Sequence, residues 1–121
     1  MIKIPENKTV YFDVDNTLIM DVCDTDPDAD NEDIAFPAGL DDNYRELVKA
    51  HDSHIELLMR FKAMGYTIVV WSQTGSDWAE HIVDILGIKD WVDLVIDKPM
   101  FYVDDLPCEF WMKNRIYKEP T

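Results

Sequence analysis

Positive charge is what this 121-residue chain has least of. Eleven Lys and Arg stand against twenty-five Asp and Glu, for a formal net charge of -14. That deficit argues against a broad electrostatic grip on a nucleic acid backbone, which needs a basic face. A small anionic substrate remains compatible if a bound cation reverses the field locally, so an acidic protein that handles phosphate is expected to use a metal. No apolar run approaches the ~18 residues of a membrane span, and MIKIPENKTV lacks the apolar stretch of a signal peptide. Cys23 and Cys108 are the only cysteines and have no paired spacing. Two bystander thiols in a reducing cytoplasm are expected rather than a disulfide. There is no internal repeat and no linker, so residues 1–121 are expected to form a single domain.

What the chain does have is apolar residues, 47% of it, in short runs broken by polar ones. TVYFDV (9–14) and YTIVVW (66–71) read as buried strands. WVDLVI (91–96) and MFYV (100–103) are two more candidates, and a short helix and a last strand around Arg115–Tyr117 are expected within 107–121. Between roughly Asn43 and Met64 the pattern predicts helix in one or two pieces. Ile55, Leu58, Met59 and Phe61 lie at helical spacing, and Gly65 is a natural stop. A second helix is expected over Trp78–Leu86, capped by Ser76 or Asp77.

Residues 20–42 hold nine Asp or Glu and no Lys or Arg, and read as a solvated flap, a loop or hairpin inserted near the N-terminus. Their DTDPDAD run lacks the central glycine and closing glutamate of a calcium loop. His51 and His54 have no further metal ligands in view, so surface or capping roles are expected. The four tryptophans read as core or edge packing, with Trp78 or Trp111 as the alternative floor of a substrate pocket.

Strands alternating with helices imply an α/β architecture with a mostly parallel sheet, in which ligands bind outside the carboxyl ends of the strands. Asp13, Asp15 and Thr17 follow the first run. Ser72, Gln73 and Thr74 follow the second, and Asp104 and Asp105 follow FYV. All are expected on one rim. Carboxylates gathered there would repel unless a hard divalent cation such as magnesium joined them, and that ion would recruit phosphate oxygens. The constellation reads as a site for phosphoryl transfer.

FDVDNTL resembles motif I of the haloacid dehalogenase superfamily, DxDx[TV] after a buried strand. VVWSQTG is similar to its motif II, DKP to the motif III lysine and YVDD to the acidic pair of motif IV, in the family's order. The resemblance implies a three-layer Rossmann-like sandwich with little or no cap, acting as a magnesium-dependent phosphatase. It implies Asp13 as the nucleophile that forms an aspartyl-phosphate, and Asp15 as acid and then base. Ser72 and Lys98 would contact the phosphoryl group, with Asn16, Thr17, Gln73 and Thr74 around the substrate. Asp13, Asp15 (through its carbonyl), Asp104 and Asp105 would hold Mg2+.

One departure stands out. Only a few residues separate Lys98 from the strand expected to end at Asp105, whereas a parallel crossover needs a dozen or more. Either a loop cuts across the sheet or WVDLVI is not a regular strand. A capless site is expected to take a phosphorylated substrate, with a small molecule slightly preferred to nucleic acid given the net charge. A homo-oligomer or a partner chain acting as a lid is the matching expectation for partners. A phosphotransferase, a polynucleotide 3'-phosphatase and a non-catalytic binding module of the same fold are the alternatives.

Overall fold

The first apolar run forms β1 (Thr9–Asp13), and the second forms β5 (Thr67–Ser72). They pair in parallel, with Phe12 opposite Val70 and Asp13 opposite Trp71. β6 (Leu94–Asp97) adds to the far side of β5, also parallel, with Ser72 opposite Asp97. The sheet order is therefore β1-β5-β6. This computed structural model describes residues 7–120. The first six residues of the stretch read for a signal peptide lie outside that range.

Successive side chains of a strand point to opposite faces. Val10 and Phe12, Ile68 and Val70, and Val95 share one face and join a single core cluster. α1 (Asp52–Ala63) and α2 (Ser76–Leu86) supply the other half of that core through Leu58, Trp78, Ala79, Ile82 and Val83. On the opposite face Tyr11, Leu94 and Ile96 are 41%, 55% and 36% exposed. The α/β class and parallel sheet match expectation. Two helices flank this three-stranded sheet, an arrangement compatible with a small Rossmann-like domain.

The acidic flap is more ordered than a loop. β2 (Ile19–Asp21), β3 (Ala35–Asp41) and β4 (Tyr44–Ala50) make an antiparallel sheet in the order β2-β4-β3. Pro37 is tolerated because β3 is an edge strand. Ala35, Ala38 and Val48 are buried, and the last two reach the main core. This corrects the helix expected from Asn43: residues 44–50 are strand, and helix begins only at Asp52. Glu46, Leu47 and Lys49 suit a helix by propensity, yet pairing on both sides of β4 and burial of Val48 override it.

The chain after β6 departs furthest from expectation. Residues 101–107 carry no strand, nor do 113–120, and the only helical turn is at Cys108–Phe110. WVDLVI is shortened at its start by a turn at Lys89–Trp91. The short connection explains the loss, since the two residues between β6 and MFYV, Lys98 and Pro99, cannot cross back to the free side of β1. Among the described residues no helix is long and apolar enough to cross a membrane.

Candidate active site

Asp13 ends β1 at the rim, and the chain then turns sharply. The Val14 carbonyl accepts from the N–H groups of Thr17, Leu18 and Ile19 at 3.1, 2.9 and 3.2 Å. Asn16 takes a left-handed φ of 60°, a conformation Asn tolerates better than most residues. Val14, Leu18 and Ile19 are fully buried beneath this turn. The turn brings Thr17 back over Asp13, and its hydroxyl donates to Asp13 Oδ2 at 3.3 Å.

Asp15 faces the next loop. Its Oδ1 accepts from the Trp78 indole N–H at 3.2 Å, and its Oδ2 from the Thr74 hydroxyl at 3.3 Å. Two donors hold this carboxyl in place. Trp78 thus bonds Asp15 directly, more than the pocket floor considered for it, and Trp111 lies on the exposed C-terminal segment instead.

Ser72 is buried, with its hydroxyl oxygen accepting the Thr74 N–H at 3.1 Å. Its carbonyl accepts the N–H of Lys98 at 2.9 Å, which fixes that residue beside β5. Lys98 then reaches over the Trp71 ring, 5.8 Å from its centroid, to 4.0 Å from Asp13 Oδ1. The short connection after β6 does not keep it away. Gln73 is exposed at the mouth of the rim.

Asp104 and Asp105 are not brought in. Both are exposed, and Asp104 Oδ1 accepts from the Leu106 N–H at 3.0 Å. That bond, first, and the Asp105 side chain hold its carboxyl below the ordinary carboxylate value. Among the described residues no three His, Cys, Asp or Glu are grouped to hold a metal ion. As placed, the residues expected to bind magnesium do not fit it.

A different aspartate occupies the third strand end. Asp97 Oδ1 accepts the Ser76 N–H at 2.6 Å, capping α2 from across the rim. Gly75 stands at the N-cap position, so neither Ser76 nor Asp77 caps as expected. Asp97 was legible in DKP as the last residue of an apolar run, but nothing local indicates its partner.

The antiparallel sheet walls a cavity of about 470 Å3 that opens beside Asp15, Thr74 and Trp78. Leu40, Tyr44 and Glu46 line its far side. Gly39 is required at this wall, since a Cβ there would collide with the Tyr44 carbonyl oxygen. Its N–H donates to His81 Nε2 at 3.1 Å and so ties the hairpin to α2. Alternation over AFPAGL and the Asp42-Asn43 turn were the available signals for this hairpin.

A family model described as NLI interacting factor-like phosphatase matches residues 8–106. No curated protein and no solved structure gives a match.

Proposed function

The chain belongs to the NLI interacting factor-like phosphatase family, a haloacid dehalogenase-like group of phosphate-ester hydrolases, and on that premise we propose that Asp13 and Asp15 divide the reaction between them. An Asp13 carboxylate oxygen bonds phosphorus as the ester P–O bond breaks, and Asp15 gives its proton to the leaving oxygen. Asp15 then takes a proton from water. That water attacks phosphorus, the bond to Asp13 breaks, and inorganic phosphate leaves.

The observation that carries this reading is how differently the two carboxyls are held. Asp13 has the Lys98 ammonium 4.0 Å from one oxygen, a cation suited to offset an approaching phosphate dianion. Asp15 instead accepts from two neutral donors, which aim it without adding positive charge. Ser72 takes a narrower role than the resemblance implies. Its buried hydroxyl and its carbonyl hold the Thr74 turn and the Lys98 amide. Asn16, Thr17, Gln73 and Thr74 border the substrate.

The preferred substrate is a small phosphate monoester. No Lys or Arg lines the cavity beside Asp15, whereas Asp21, Asp41 and Glu46 do, which disfavours a polynucleotide. Tyr44, Leu40 and Trp78 would cover an apolar part of the leaving group.

Haloacid dehalogenase-like phosphatases generally use magnesium. Asp104 and Asp105 stand out on an exposed segment, away from the carboxyls of Asp13 and Asp15 that the turn after β1 aims. Phosphate release from a panel of nucleotides, sugar phosphates, aryl phosphates and 3'-phosphorylated oligonucleotides tests the proposal. Release is expected to drop by roughly a thousandfold or more in Asp13→Asn, and a fall on chelation that magnesium reverses would mean that Asp104 and Asp105 move in to complete a metal site. Turnover that survives this substitution removes Asp13 as nucleophile. Label appearing on an added alcohol instead of water would make the enzyme a phosphotransferase.

A further inference from the structure

Two buried histidines outside the reaction scheme join the catalytic turn to the C-terminal segment. His51 and His54 are 1% and 2% exposed, and their rings stack 3.8 Å apart at 9°. All four ring nitrogens are engaged, and the partners dictate the tautomers. The Lys118 N–H donates to His54 Nε2 at 2.8 Å, so that nitrogen is bare and the proton sits on Nδ1. Nδ1–H in turn donates to the Thr17 carbonyl at 2.7 Å. The His54 N–H donates to His51 Nδ1 at 3.3 Å, which leaves His51 Nε2–H to donate to the Lys118 carbonyl at 2.9 Å. Tyr117 closes the outside, its ring edge-on to His54 at 5.1 Å.

We propose that His54 is a positioning residue for the phosphatase site, held by the backbone of Lys118, and that the pair forms a clamp that opens when His54 is protonated. Each ring is neutral with no nitrogen to spare. A proton added to His54 Nε2 would face the Lys118 N–H. That replaces a hydrogen bond with a donor–donor clash. The clamp bears on Thr17, whose hydroxyl bonds Asp13, so its release frees the turn that aims the nucleophile.

The surroundings favour the neutral state. Burial pushes His54 below its ordinary value of 6.5, His51 and the Lys118 ammonium act the same way, and the Thr17 carbonyl opposes them. From α1, Asp52 lies beside the pair on its exposed side, and from β4 and the turn before β3 Lys49 and Asp28 form an ion pair at 3.0 Å. Arg115 stacks on Tyr117, 5.7 Å from its ring centroid. A depressed value means that the released state binds the proton more readily. The clamp is therefore at full strength above about pH 6.5, weakens below it, and is lost as pH falls through the His54 value.

The test uses nitrogen-15-labelled full chain and needs no turnover, so it stands even if no phosphate ester is cleaved. At pH 7.5 the ring spectra are expected to show His54 protonated on Nδ1 and His51 on Nε2. The Lys118 amide, measured against an unstructured amide at each pH, is expected to lose roughly tenfold or more of its exchange protection by pH 5. Val70 in β5 should keep its protection. Lys118→Pro removes both the donor to His54 and the Lys118 ammonium, so Lys118→Gln, which removes the ammonium alone, is its control, and the His54 titration midpoint is expected to rise further in Lys118→Pro than in Lys118→Gln. In active enzyme Lys118→Pro should move the acid limb of kcat in the same direction with little change in KM. The proposal is overturned by the opposite tautomers, by Lys118 protection that ignores pH, or by loss of Lys118 and Val70 protection together. A His54 midpoint no higher in Lys118→Pro than in Lys118→Gln also overturns it.

Discussion

The turn at 14–18 and the segment at 99–107 are both irregular chain that follows a parallel strand, and each belongs with a pair of aspartates, Asp13 and Asp15 or Asp104 and Asp105. They differ in what lies beneath them. The first stretch rests on Val14, Leu18 and Ile19, all buried, with three N–H groups converging on one carbonyl. The second exposes Met100 and Phe101 at 90% and 86% and Val103 completely. Asp15 is held by donors about sixty residues away in sequence, whereas the backbone bond of Asp104 comes from two residues on. The difference shows that a carboxyl is aimed by the packing under its backbone. Its spacing in a motif only makes that possible.

The comparison can be broken most directly at the core. Leu58 is fully buried in the same core as Val14, Leu18 and Ile19, and Leu58→Ala is expected to cost about 3 kcal/mol of stability in a denaturant titration. A change below about 1 kcal/mol would mean that the core does not support the turn. Next comes the aim of Asp15. Trp78→Phe keeps the ring and removes the N–H, and should lower kcat by about fivefold, the value of one hydrogen bond. An unchanged kcat would leave Asp15 positioned by Thr74 alone. The smallest effect belongs to the exposed segment. Val103→Ser should alter stability by no more than about 0.5 kcal/mol, and a larger loss would show that this stretch is packed in solution.

Much of the site was legible because its signals are local. An apolar run followed by Asp-x-Asp-x-Thr announces both a buried strand and the turn after it, and Asp13 does end β1 with Asp15 and Thr17 on the turn that follows. Ser72 and Lys98 were found the same way, each at or just past a strand end. What was misread depended on partners. Residues 44–50 look helical until β2 and β3 flank them. MFYV looks like a strand, yet no neighbour is within its reach.

The amino-acid sequence alone determined the α/β class, the two central strands β1 and β5, the phosphatase motifs and the acidity that disfavours a polyanion. Each follows from residue type and short-range order, which act before the chain folds back on itself. Tertiary structure decided that Asp97 caps α2, that Trp78 and Thr74 hold Asp15, and that His51 and His54 face the Lys118 backbone. These bonds join residues some twenty to seventy positions apart. A buried donor takes whichever acceptor the packed core puts within 3 Å of it, and no spacing along the chain records that choice.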